Sequence, residues 1–273
     1  MDDATRFMTE RKEFFMVTKF FSNRHRFLLA AVTIAASTAT ASIAAADVIN
    51  VQYPVTSNNG GYTVYTGTGA APDTGTVWNQ AQDTSGTGTL LTDLEDSQGN
   101  ATTISLSELT SGPNGQRTEK TPAVTNALLD NYLFLSSTNP TDGFTISGLT
   151  AGAQYDLYLY ASDGGLANGQ GAAFTVNGVS FGQTGSKTQT SGATGTTIPT
   201  SDLGISYVEG ATTADANGDI AVTFTANTVS PANGGIFNGF QLVGPLAVPE
   251  PTDIALFGVG ALGLLLLRRR RTA

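Results

Sequence analysis

The chain has 273 residues, no cysteine and one histidine, His25. Between Asp47 and Pro249 the basic residues are Arg117, Lys120 and Lys187 against sixteen acids, a formal charge of −13. That balance excludes nucleic-acid binding, which needs Lys and Arg to neutralise phosphates, and the missing side chains exclude a disulfide framework, a Ser-His-Asp or Cys-His centre and the usual zinc sites in this region.

Residues 1–46 read as an export signal. Lys19, Arg24 and Arg26 precede a ten-residue, largely apolar stretch from Phe27 to Ala36. As a helix that stretch reaches ~15 Å, half of a ~30 Å hydrocarbon core, so it fits a signal h-region and not an anchor. Ala44-Ala45-Ala46 supplies small residues for signal peptidase, with Ala44 and Ala46 flanking the cut and Asp47 as the mature start. Met1 and Met16 both remain as translation starts.

Residues 47–246 carry short alternating runs punctuated by turns. Strands are expected at 48–53, 61–65, 102–106, 143–146 and 154–160. In the last of these, Tyr155, Leu157 and Leu159 point to one face and Asp156, Tyr158 and Tyr160 to the other. Phe174 to Phe181 predicts a hairpin around Asn177-Gly178. Further strands are expected at 205–208, 220–224 and 236–243. The helix candidate is Ala127 to Asp130, capped by Thr125 or Asn126, with a strand at 133–135. Gln183 to Ser201 has little to bury and is expected to be a long mobile loop.

Many short strands, few helices and no long repeat predict an all-β fold: a single antiparallel β-sandwich, with jelly-roll topology favoured over an Ig-like one. The signal helix would precede it and a short C-terminal transmembrane helix would follow, in residues 247–273.

Within the body, Trp78 and Asn79 are the candidate glycan contact, because an indole suits the C–H face of a sugar and an amide its hydroxyls. A core indole is the competing expectation and weighs more. Tyr158 and Tyr160 are expected to cover the core as a cross-strand aromatic patch more than to form a platform. Asp215, Asn217 and Asp219, and the cluster Asp93, Glu95 and Asp96, place oxygens in the manner of a calcium loop. Neither has the distant bidentate Glu, and Asn-Gly-Asp is already a good turn, so no metal is assigned. No cofactor is expected, and some close carboxylate pair is inevitable among sixteen acids. An enzyme is therefore not expected; a secreted glycan hydrolase or lyase is the least favoured alternative.

The tail begins with Val248-Pro249-Glu250-Pro251, continues through fourteen apolar residues from Ile254 to Leu267, and meets Arg268, Arg269, Arg270 and Arg271. The run spans ~21 Å as a helix, and the arginines form a block that stays cytoplasmic under the positive-inside rule. This order resembles the PEP-CTERM sorting signal of exported proteins in exopolysaccharide-producing Gram-negative bacteria. The resemblance implies an exosortase-like membrane transpeptidase as partner. Pro249, Glu250 and Pro251 would be its recognition element, and the four arginines a cytoplasmic stop. It also implies transient inner-membrane anchoring, then the cell surface or extracellular matrix, with exopolysaccharide as a further partner.

Trp78-Asn79, Asp96-Ser97-Gln98-Gly99, Gly148-Leu149 with Gly152, Tyr155 to Tyr158 and Asn238 to Leu242 are similar to stretches of secreted bacterial β-sandwiches related to galactose-binding-like modules. That resemblance implies the fold; no ligand motif accompanies it. The functional expectation is an exported, non-enzymatic surface or matrix protein, with a carbohydrate-binding module as the alternative.

Overall fold

The computed structural model describes residues 47–53, 64–72, 75–81, 88–108, 116–118, 126–135, 140–163, 168–231 and 234–246. All belong to the second of two units of the chain, Ala45–Ala273. The expected signal helix with Ala44 and Ala46, and the expected tail helix with Pro249 to Pro251 and the four arginines, lie outside the described residues.

In chain order the strands are β1 (Asp47–Gln52), β2 (Asn79–Gln80), β3 (Gly88–Leu91), β4 (Ser105–Glu108), β5 (Gln116–Thr118), β6 (Asn131–Leu135) and β7 (Thr141–Ser147). There follow β8 (Gln154–Tyr160), β9 (Ala172–Val176), β10 (Val179–Gln183), β11 (Tyr207–Thr213), β12 (Ile220–Ala226), β13 (Gly235–Phe237) and β14 (Gly239–Gly244). The first sheet has the order β11-β8-β14-β1-β2, the second β10-β9-β12-β7-β4-β3, and a small third sheet β13-β6-β5.

From β7 to β12 the chain changes between the two large sheets at every connection but the β9–β10 hairpin, and it returns to the first sheet at β14 by way of β13 in the third. This alternation is the jelly-roll pattern that the sequence favoured. All pairings between named strands are antiparallel except β1 with β2, where Val51 and Gln52 run parallel to Asn79 and Gln80.

Period-two alternation explains the core. Ile49 and Val51 of β1, Tyr155, Leu157 and Leu159 of β8, and Phe240 and Leu242 of β14 face inward from the first sheet. Phe144, Ile146, Phe174, Val176, Val222 and Phe224 meet them from the second. Phe144 stacks on Phe240 across the interior, with centroids 5.0 Å apart and planes at 12°. Each buried ring of this kind stabilises the fold by roughly 1.5–3 kcal/mol through lost apolar exposure.

The Asn177-Gly178 hairpin forms as expected, joining β9 to β10 with Val176 opposite Val179. Both turn residues have positive φ, 50° and 77°, as a type I′ turn requires.

Four local expectations are corrected. Val64 and Tyr65 lie in no strand; the Tyr65 amide instead donates to the Gln52 side chain. Residues 127–130 make a single turn, not a helix: Asn126 Oδ1 accepts the Leu128 and Leu129 amides as a cap should, but β6 begins at Asn131. The closing strand is split, because Asn238 leaves the ladder between β13 and β14. Its side chain there donates to the carbonyls of Leu129, Asn131 and Ser162 and accepts the Ser162 amide.

The fourth correction is the segment 183–201. It is irregular, yet it is fastened down. Ala193 and Ile198 are buried. The buried Asp202 carboxylate, in a short 3-10 turn (Thr200–Asp202), accepts the Ser191 hydroxyl, the Gly192 amide at 2.9 Å and the Ser206 hydroxyl at 3.2 Å. Composition suggested mobility because it records what a segment buries, not what it hydrogen-bonds.

Candidate functional site on the outer face of the first sheet

The outward positions of the first sheet form two rows. Asn50, Gln241, Tyr158 and Glu209 stand opposite one another across β1, β14, β8 and β11. One step along, Gln52, Gly239, Tyr160 and Tyr207 do the same. In an ordinary sandwich such positions meet water. Here much of this face is covered, and Asn50, Gln52, Gln241 and Tyr160 have no exposed surface.

The cover comes from irregular segments that place Tyr65, Trp78, Leu128, Leu129, Ala193 and Ile198 against Tyr160 and Tyr207, a second apolar cluster. Trp78 meets Tyr65 edge-on at 5.0 Å and Tyr160 at 6.3 Å. Its indole N–H donates to the Gly67 carbonyl at 2.7 Å.

Trp78 is therefore a core indole, 5% exposed. Asn79 is equally committed: its amide nitrogen donates to the Asn50 and Glu95 carbonyls, and its oxygen accepts the Glu95 amide. The two side chains proposed for a glycan contact pin neighbouring strands and loops together, leaving no aromatic face and no free amide there for a sugar.

Beneath the cover lies a polar network that sequence reasoning missed. Gln241 Oε1 accepts the Tyr160 hydroxyl and the amides of Ala70 and Ala71, both at 3.0 Å. Its Nε2 donates to Asn50 Oδ1 at 2.7 Å and the Thr68 carbonyl at 2.8 Å. Asn50 passes on a bond to the Val77 carbonyl, and Gln52 holds the Ala127 carbonyl and the Tyr65 amide. Gly69 adopts φ 71° directly over Gln241, where a Cβ would collide with the amide. The available signal was the amide type at outward strand positions, where Thr or a charged residue is the commoner choice.

Burial raises the phenol pKa values in this cluster, because the charged form loses its hydration. Tyr160 is pushed well above its usual 10.0, and Tyr207 up to about 12, chiefly by burial with help from Glu209. Tyr65 is raised as well. Its oxygen is buried without a hydrogen bond of normal geometry, although Asn126 and the Gly69 backbone lie near enough to offset part of the effect.

The cover stops at Tyr158. This side chain is half-buried, its ring 6.3 Å from that of Tyr207, and burial, Glu209 and Asp156 all raise its pKa. Beyond it Asp156 and Glu209 are exposed. The expected aromatic patch is thus present, with Tyr160 and Tyr207 inside it and Tyr158 at its rim.

The calcium candidates make a turn. Asp215 Oδ1 accepts the amides of Asn217 at 2.8 Å and Asp219 at 2.9 Å, and these bonds lower its pKa. Asp96 closes the other turn, taking the Gln98 and Asn100 amides on Oδ1 and the Asn100 side chain on Oδ2. Among the described residues no three His, Asp or Glu side chains converge, and no helix is long and apolar enough to cross a membrane.

Beyond β14, residues 247–271 match the family model of the PEP-CTERM protein-sorting motif. The chain carries a PEP-CTERM sorting signal. Such a signal marks an exported surface protein. The PEP-CTERM match starts one residue after Leu246, the last described core residue.

No curated protein matches the chain. Among solved structures it is similar to the ANX2 ectodomain from Arabidopsis thaliana, at 12% identity over 52% of this chain and 45% of that one, TM-score 0.36. It is also similar to the structure of the plant peptide RALF23 in complex with FER and LLG2, at 13% identity over 72% and 40%, TM-score 0.36. A third likeness is to a family 35 carbohydrate binding module from Clostridium thermocellum, at 16% identity over 46% and 86%, TM-score 0.25. The chain spans less than half the length of the plant structures it matches.

Proposed function

We propose that this PEP-CTERM protein is a non-catalytic component of the cell surface or extracellular matrix, associated with exopolysaccharide. An exosortase-like membrane enzyme would recognise Pro249, Glu250 and Pro251 and separate the sandwich from its tail. The observation that carries the reading is the abutment of the sorting motif on the finished fold. β14 ends at Gly244, the Pro245 carbonyl is held by the Tyr155 hydroxyl at 3.0 Å, and the motif begins at 247. A cut at 249–251 removes no described residue.

The non-catalytic reading is supported by the use of the polar side chains under the cover. Asn50, Gln52, Asn79, Trp78 and Gln241 all spend their groups on internal hydrogen bonds, where a catalytic centre aims groups at a substrate. The acid excess of the body keeps an exported protein soluble.

Intact mass of the protein from envelope and medium fractions tests the sorting step. The expected species begins near Asp47 and ends near Pro249 to Pro251, with or without an added group. A chain intact through Ala273 and confined to the membrane would defeat the reading.

A further inference from the structure

Three tyrosine hydroxyls on β8 and β11 are spent on the protein. Tyr155 donates to the Pro245 carbonyl, Tyr160 to Gln241, and Tyr207 to the Thr200 carbonyl at 3.4 Å. The Tyr158 hydroxyl has no such partner among the described residues, and neither does the Asp156 or the Glu209 carboxylate. These three groups share the open part of the sheet face. Asp156 precedes Tyr158 by two residues on the same side of β8, about 7 Å along the strand. Glu209 stands directly opposite Tyr158 on β11.

The free groups dictate what they take. A half-exposed phenol ring backed by Tyr207 offers a firm apolar surface. Two unpaired carboxylates offer acceptors only, and hydroxyl donors to a carboxylate make the stronger class of hydrogen bond. A pyranose has both complements, an apolar C–H face and a ring of hydroxyl donors. An anionic sugar is disfavoured, since its carboxylate would meet Asp156 and Glu209 on a body of charge −13. A second copy brings the same acids to the same place and is disfavoured for that reason. On β14, Gln241 stands opposite Tyr158 and is fully buried, so the open part of the face lies toward Asp156 and Glu209.

We infer that Tyr158, Asp156 and Glu209 form a subsite for a neutral saccharide, with the ring beneath the sugar and the two carboxylates accepting its hydroxyls. This rests on the exopolysaccharide association proposed above and moves the contact away from Trp78.

The test is affinity electrophoresis of the full chain in a polyoxyethylene detergent, through gels containing galactomannan, dextran, soluble β-1,3-glucan or polygalacturonate. Retardation by at least one neutral polymer and none by polygalacturonate is expected. Tyr158→Ala should abolish it, Tyr158→Phe should keep most of it, and Asp156→Asn or Glu209→Gln should each weaken it about ten-fold. Asp156 and Glu209 are exposed and Tyr158 is half-buried, and unchanged circular dichroism of each variant checks the fold. Retardation that survives Tyr158→Ala overturns the subsite and leaves polymer association standing. Retardation by polygalacturonate alone also overturns it. Passage through all four gels overturns both subsite and association, while the mass pattern judges sorting separately.

Discussion

The hydroxyl of Tyr160 on β8 donates to the side-chain oxygen of Gln241 on β14, and that oxygen also receives the Ala70 and Ala71 amides. One glutamine thus ties a sheet to the loop that covers it. Gln241→Ala should destabilise the protein by about 3 kcal/mol, since the Tyr160 hydroxyl and the Ala71 amide lose a buried acceptor and the Ala70 amide keeps only the Tyr160 oxygen, at 2.7 Å. Urea unfolding reads the loss. Adding Tyr160→Phe to Gln241→Ala should then cost less than Tyr160→Phe alone, because the two share a bond. Strict additivity would show that the network does not act as a unit.

The buried phenols predict alkaline sensitivity. Tyr65, Tyr158, Tyr160 and Tyr207 all have folded-state pKa values raised above 10.0, Tyr207 to about 12. A group raised in the folded state lends stability that is whole below its unfolded pKa and is lost as pH rises toward the folded one. The urea midpoint should hold steady to about pH 10 and fall between pH 10 and 12. Tyrosinate absorbance should rise together with unfolding. A midpoint that stays flat through that window would contradict the burial of these hydroxyls.

Asp202 fastens the long segment between β10 and β11. Asp202→Ala strands the Ser191 and Ser206 hydroxyls and the Gly192 amide. A loss of about 2 kcal/mol is expected, together with faster thermolysin cleavage between residues 183 and 203. Asp202→Asn retains an acceptor and should fall between the two. Equal cleavage of wild type and Asp202→Ala would mean that the buried Ala193 and Ile198 hold the segment unaided.

At the Asp215 turn, calcium should change nothing. Asp215 Oδ1 is occupied by two backbone amides, and Asn217 is turned back onto Oδ2. Thermal midpoints with millimolar calcium and with EDTA should agree within about 1 °C. A calcium-dependent rise that disappears in Asp215→Asn would restore the metal reading.

The sandwich was legible because its inner faces obey one rule. Alternation in Gln154 to Tyr160 and the Asn177-Gly178 turn are local signals, and local signals survive in a sequence read alone. The outer face follows a different logic. Gln241 and Asn50 occupy positions that alternation assigns to solvent, and irregular segments within 64–72, 75–78 and 126–130 turn that face inward. The strand break at Asn238 was hidden for a similar reason: its partners Leu129, Asn131 and Ser162 are 76 to 109 residues away. Trp78 illustrates the same point, since an indole reads alike whether a loop covers it or a sugar does.

Asp47 pairs with Gly244, so the first and last strands end side by side. On the proposed reading, export and tail removal then cut the chain at a single pole, and the sandwich is moored there throughout. Asp156 pairs with Val243, four residues before the matched motif begins. The proposed saccharide subsite would therefore open beside that mooring. On the same reading, an uncut tail would keep the envelope close to that face, and long polymers would compete with it for room. Cutting the tail would lift that crowding, so release of the protein and access to its ligand would become a single event.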